Sequence, residues 1–180
     1  MDMKETRIGG ELIYDGIIVH LFKDDVTLPN GKNAVREVIR HQGAVCVVAI
    51  DNNNNIYLVK QFRYPFNDVI TEIPAGKLDA GETPLEGAAR ELREETGIIA
   101  NNYEYLGELY TSPAFLDEVI HMYLATDLSF VEQDPDEDEF VEVEKVNIDD
   151  FVKEIMNGKI PDSKTQTAVL KAYLLLKRDR

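Results

Sequence analysis

The chain has 180 residues, of which 44% are hydrophobic and 29% charged, enough for one packed domain of ordinary size with a small appendage. Its formal net charge is −15, from 19 basic against 34 acidic residues. Such a surface repels a phosphate backbone, so it argues against direct nucleic-acid binding, and any phosphorylated substrate needs metal ions and a few placed arginines.

The opening segment MDMKETRIGG lacks the apolar stretch of a signal peptide, and no run approaches the length of a membrane span. The single cysteine, Cys46, allows no disulfide within the chain. We therefore expect a cytoplasmic protein with no membrane partner. Residues 11–41 read as extended pieces joined by turns, with Pro29-Asn30-Gly31 as one turn. Apolar residues are sparse there. The segment predicts a small antiparallel β-sheet that buries little by itself and packs on a partner surface.

GAVCVVAI, residues 43–50, is a continuous apolar run, the mark of a strand covered on both faces. Cys46 in its middle reads as a small core residue. A polar turn follows, then a returning strand over 55–62 and a short strand over 69–75 ending at Pro74. After a central helix come strands over 103–111 and 119–126, separated by the loop Ser112 to Glu118. DPDEDE, residues 134–139, is an acidic loop, and 140–146 forms a last strand. His20, His41 and His121 lack metal-ligand spacing and read as strand residues. Two helices close the chain. Asp149 to Asn157 carries Phe151, Val152 and Ile155. Asp162 to about Arg178 carries Val169, Leu170, Tyr173, Leu174 and Leu176 on one face. The interleaving predicts an α/β fold with a mixed sheet sandwiched by helices.

The central helix has clear ends. Thr83 can N-cap, Pro84 fits the first helical position, and Glu86 completes a capping box. Gly97 supplies the stop. Leu85, Ala88, Ala89, Leu92 and Thr96 recur at helical spacing and predict the buried stripe. Glu91, Glu94 and Glu95 fall at i, i+3 and i+4, and we place them on the opposite face. Three like charges this close repel one another. A hard divalent cation, Mg²⁺ or Mn²⁺, removes the conflict and can bridge to a substrate phosphate. Arg90 stands four residues before Glu94 and can hold that carboxylate. Gly76 and Gly81 have the spacing of a phosphate-binding P-loop, but Glu82-Thr83 follow where that motif needs Lys-Ser/Thr.

Gly76, Glu82, Arg90, Glu91, Leu92, Glu94, Glu95, Gly97 and Ile98 resemble the signature of the Nudix hydrolases, nine fixed positions over 23 residues. The resemblance implies an α/β/α sandwich over 42–180. It also implies that the sheet over 1–41 serves an exchanged homodimer whose substrate site spans both chains. Nudix enzymes hydrolyse a nucleoside diphosphate linked to another moiety. By resemblance, Glu91 and Glu95 ligate metal together with the Ala75 carbonyl. Glu94 is a ligand or a holder of one, and Glu82 supports the loop or a further ion.

Pro113, fifteen residues beyond Ile98, resembles the ADP-ribose pyrophosphatase branch, with Ala114 where glycine is common. Gln61-Phe62-Arg63-Tyr64-Pro65 and Glu72-Ile73-Pro74-Ala75-Gly76 resemble segments flanking the site in that branch. The implied substrate contacts are Arg36, Glu37, Arg63, Lys77, Ser112, Pro113, Ala114 and Glu118. The general base is expected in the acidic loop, at Glu137 with Glu139 behind it. Tyr14 and Phe22 are candidates to stack on adenine, with core packing equally open. Hydrolysis of ADP-ribose is the function so implied. Another nucleotide sugar or a dinucleotide remains an alternative substrate, and a non-catalytic ADP-ribose sensor is an alternative of another class.

Overall fold

The computed structural model describes residues 2–135 and 140–178. Two compact units are found, Met1–Gln42 with Tyr110–Val119, and Gly43–Leu109 with Ile120–Arg180. In the first unit, β1 (Thr6–Asp15), β2 (His20–Thr27) and β3 (Asn33–Arg40) form an antiparallel sheet in that order. Little of the sheet is buried, although its strands carry apolar residues, of which Ile8, Leu12, Ile13, Tyr14 and Val35 are exposed. One of the buried residues of β2 is a carboxylate, Asp24, the other being Val26. Asp24 receives Arg7 Nε at 2.8 Å and Arg40 Nη2 at 2.6 Å, so both outer strands are tied to the middle one by charge-assisted bonds. The segment 110–119 joins this unit through Ile39 N to Phe115 O and Asp117 N to Ile39 O. His20 lies in β2, while His41 falls just beyond β3.

The second unit is built on β4 (Ala44–Ile50), every residue of which is buried. Its neighbours are β5 (Asn55–Arg63) and β9 (Val119–Phe130), with β10 (Val141–Asn147) beyond β5 and β8 (Ile98–Tyr110) beyond β9. β4 runs parallel to β9 and antiparallel to β5, so the sheet is mixed. Alternation along β4 separates two cores. Ala44, Cys46, Val48 and Ile50 face the cluster completed by α2 (Ile148–Met156) and α3 (Ser163–Arg178). Val45, Val47 and Ala49 face Ala88 and Leu92 of α1 (Pro84–Thr96). This is the expected α/β/α arrangement. Burial pushes the Cys46 thiol up to about 12, as suits an inert core residue.

Three details differ from expectation. The strand read over 69–75 is two strands, β6 (Asp68–Glu72) on β5 and β7 (Ala75–Lys77) on β4. Pro74 lacks an N–H for the ladder, and its carbonyl accepts from Val47 N instead. β8 begins at Ile98, five residues early, because Gly97 turns directly from helix to strand at φ 67°. A Cβ on Gly97 would lie 2.5 Å from Val131 O, so the passing chain also requires glycine there. Leu174 is exposed, since α3 buries the stripe Thr165, Ala168, Val169 and Ala172. Leu174 stands five residues from Val169, about 140° round the helix.

The capping box of α1 forms as read, with Thr83 N donating to Glu86 Oε2 and Glu86 N to Thr83 Oγ1. Its buried stripe is shifted from the one expected. Leu85 is exposed, and the covered residues are Gly87, Ala88, Glu91, Leu92 and Glu95. Leu92→Ala is accordingly expected to cost about 2–5 kcal/mol and Leu85→Ala under about 1 kcal/mol, both read from urea denaturation midpoints. Equal costs would contradict this placement of the stripe.

Candidate active site

Two of the three α1 carboxylates that the charge pattern placed on the face away from the core, Glu91 and Glu95, lie against the core instead. Glu91 is 8% exposed and Glu95 2%. Helical spacing puts residues 88, 91, 92 and 95 on one side, and that side packs against β4 and β7. Buried carboxylates need fixed donors. Glu95 Oε2 accepts from Ala75 N at 2.9 Å, and Gln133 Nε2 donates to the Glu95 carbonyl at 2.5 Å. Glu91 lies against Gly76, where an added Cβ would stand 2.0 Å from Glu91 Oε1. The glycine is needed for this close approach of backbone to carboxylate.

Arg90 gathers the remaining acids. Nε and Nη2 each donate at 2.9 Å to one oxygen of Glu82, and Nη1 donates to Glu91 Oε1 at 2.8 Å and Glu94 Oε2 at 3.0 Å. Nη2 also donates to Lys77 O at 3.0 Å, while the Lys77 side chain is exposed. The fork to Glu82 holds that carboxyl below its ordinary value and raises the guanidinium. Arg93 reaches Glu94 and, at 3.5 Å, Asp134. Among the described residues, no three acidic, histidine or cysteine side chains surround one point as a metal cage. Glu82, Glu91 and Glu94 are instead turned onto Arg90. Together with Glu95, their chemistry still fits a hard divalent cation, because all are oxygen donors and two of them, Glu91 against Gly76 and Glu95 on Ala75 N, lie beside one stretch of backbone.

Other expected residues lie as follows. Arg63 is engaged by Glu72, with Nε to Oε1 and Nη2 to Oε2 both at 2.7 Å. In the first unit, Arg36 donates to Glu5 Oε1 at 2.6 Å, and Glu37 is exposed on β3. Pro113, Ala114 and Glu118 line a cavity of about 330 Å³ with Val38, Tyr110 and Phe115. Ser112 accepts the turn bonds from Phe115 N and Leu116 N. Glu118 accepts from Thr111 Oγ1 at 2.6 Å and lies 3.7 Å from His41 Nε2. Phe22 stacks under the Arg40 guanidinium at 5.1 Å, and Tyr14 is exposed on β1. Glu137 and Glu139 lie outside the described residues.

Sequence reasoning overlooked the group around Glu72. Lys164 Nζ also donates to Glu72 Oε2 and, at 3.1 Å, to Asp162 Oδ1. The one available signal was an acid between Val69-Ile70-Thr71 and Ile73-Pro74; nothing pointed to Lys164, ninety-two residues on. Burial pushes the Glu72 carboxyl up, but the bonds from Arg63 and Lys164 outweigh it and hold the group below 4.5. A depressed carboxyl contributes stability that is present above its unfolded value and lost as pH falls through the folded one. Glu72→Gln should therefore destabilise the protein at neutral pH, with the gap from the parent narrowing below about pH 4.5. Denaturation midpoints across that range test this, and a gap that widened in acid would refute it.

A family model described as the NUDIX domain matches residues 40–166. The chain is 45% identical over 177 residues to an ADP-ribose pyrophosphatase of Bacillus subtilis (strain 168), covering 97% of this chain and 95% of that protein. It is 48% identical over 168 residues to a methanol dehydrogenase activator of Bacillus methanolicus, covering 92% and 91%. A crystal structure of an ADP compounds hydrolase aligns with a TM-score of 0.85 over 98% of this chain and 96% of that one, a likeness of fold at 21% identity. With the signature complete on α1 and its flanking strands, the chain belongs to the Nudix hydrolase family.

Proposed function

We propose that the protein hydrolyses ADP-ribose at its pyrophosphate, giving AMP and ribose 5-phosphate, with Mg²⁺ or Mn²⁺ as cofactor. One observation carries this reading: Glu82, Arg90, Glu91, Glu94 and Glu95 are all assembled in a chain 45% identical to an ADP-ribose pyrophosphatase. In the reaction a water oxygen bonds to one phosphorus and the bridging P–O bond breaks. The proton from water passes to a base, and the leaving phosphate takes up a proton in turn. Nudix hydrolases are metal-dependent; Glu91 and Glu95, with Glu82 and Glu94 as further donors, would hold a divalent cation, which would supply Lewis acidity toward phosphoryl oxygens and acidify water.

The chain's own residues supply position. Arg90 fixes the rotamers of three carboxylates through four side-chain bonds. Ala75 N fixes Glu95. Arg63 is assigned to a substrate phosphate, since its planar fork fits phosphate as well as carboxylate. Arg36, Glu37, Lys77, Ser112, Pro113, Ala114 and Glu118 are assigned to further substrate contacts, and Glu137, backed by Glu139, to the base. We also assign residues 1–41 to a homodimer interface. Support comes from the exposed Ile8, Leu12, Ile13 and Ile17 on and after β1 in a sheet that buries little of its own. No helix among the described residues is long and apolar enough to cross a membrane, and a lone buried cysteine is compatible with the cytoplasm.

The direct test is a panel of ADP-ribose, a nucleotide sugar, a diadenosine polyphosphate and an oxidised nucleoside triphosphate, with Mg²⁺ and with chelator. AMP release from ADP-ribose, abolished by chelator, is expected. Preferred cleavage of another member would move the substrate assignment, and binding of ADP-ribose without turnover would replace the enzyme by a sensor. Gly76→Ala is expected to leave the protein folded, because the end of Glu91 can swing aside, yet to lower kcat by about 10²-fold by displacing that carboxylate. Full activity in this variant would remove Glu91 from the metal set.

A further inference from the structure

Glu72 is 3% exposed and meets two cations at once. They are unlike in exposure and in partners. The Lys164 side chain is 12% exposed and is built into the fold. It bonds Glu72 and Asp162, Asp162 Oδ2 accepts from Thr165 N, and Thr165 Oγ1 accepts from Ile73 N beside Glu72. The Arg63 side chain is 38% exposed and stands at the end of β5. Arg63 also lies within electrostatic reach of Glu95 on α1.

We infer that Lys164 is a standing countercharge for Glu72 that frees Arg63 to exchange this carboxylate for a substrate phosphate, an inference resting on the proposed assignment of Arg63. Were Arg63 the sole partner of Glu72, its departure would strand a buried carboxylate, which is strongly unfavourable. With Lys164 in place, Glu72 stays paired and hydrogen-bonded after Arg63 swings away. The two bonds given up to carboxylate oxygens are regained on phosphate oxygens in the same bidentate geometry. Lys164 thereby acts as a positioning residue, setting the availability of Arg63 without touching substrate.

The test is steady-state hydrolysis of ADP-ribose with Mg²⁺ by the full chain. Lys164→Met is expected to raise KM about tenfold or more with kcat changed less than about twofold, because Arg63 then stays on Glu72. Adding Glu72→Gln in that background removes the retaining charge and should return KM toward the parent value. Lys164→Arg keeps the countercharge and should keep KM. A melting temperature that falls with KM unchanged would reduce Lys164 to a structural role and overturn the inference. A raised KM that Glu72→Gln fails to restore would mean that Lys164 contacts substrate itself, overturning it equally. Should Lys164→Met not fold, Glu72→Gln alone decides, since releasing Arg63 lowers KM and any rise contradicts the exchange. Arg63→Ala at the parent KM would instead show that the assignment of Arg63 had failed, and would sink the inference with it.

Discussion

Glu91 and Glu95 are buried on the side of α1 that packs against β4 and β7, and the catalytic region is arranged around that burial. A carboxylate removed from water must be answered by donors at fixed places. Ala75 N answers Glu95, Arg90 answers Glu91, and Gly76 leaves the room that Glu91 occupies. Each donor depends on a different element. β7 must stop at the right register on β4, and α1 must begin where Thr83 caps it. The acids are therefore placed by packing as much as by helical spacing, and their geometry is preorganised at the expense of charge burial within the core.

The same logic extends outward. Pro74 breaks the strand between Glu72 and Ala75, so one short segment serves two neighbours. Its first half carries Glu72 against Arg63 and Lys164. Its second half brings Ala75 and Gly76 under α1. Thr165 on α3 holds Ile73 from the other face of the sheet. The C-terminal helix, which carries none of the Nudix signature, thus fixes the strand from which that signature starts. In the first unit a comparable device holds three strands together: Asp24, buried, is gripped by Arg7 and Arg40 from either side. In a sheet that buries few of its apolar residues, these charged pairs add to the specification of register.

The Arg90 fork ties three of the acids together. Its guanidinium spans Glu82, Glu91 and Glu94, three of the oxygen-bearing groups proposed for the cation. The repulsion among acids at i, i+3 and i+4 is thus relieved from within the chain. An arginine suits this role because it stays charged and presents several donors in one plane. The same property suits Arg63 to the exchange proposed for it between Glu72 and a phosphate.

Much was determined by the sequence alone. Caps and stops are local, so Thr83, Pro84, Glu86 and Gly97 fixed α1 to the residue. The apolar run over 43–50 marked a strand covered on both faces, and the full signature from Gly76 to Ile98 marked the family. What lay beyond local reach was decided by tertiary structure. Periodicity told which residues share a helix face, but not which face the sheet would cover, so Leu85 was placed inside and Glu95 outside. The true stripe keeps Ala88 and Leu92 and takes in Glu91 and Glu95, because donors on β7 and on Arg90 make their burial tolerable. The partnership of Glu72 with Lys164 joins residues ninety-two apart and has no local signature. A buried charge is set by what the fold brings to it, and that is information no single segment carries.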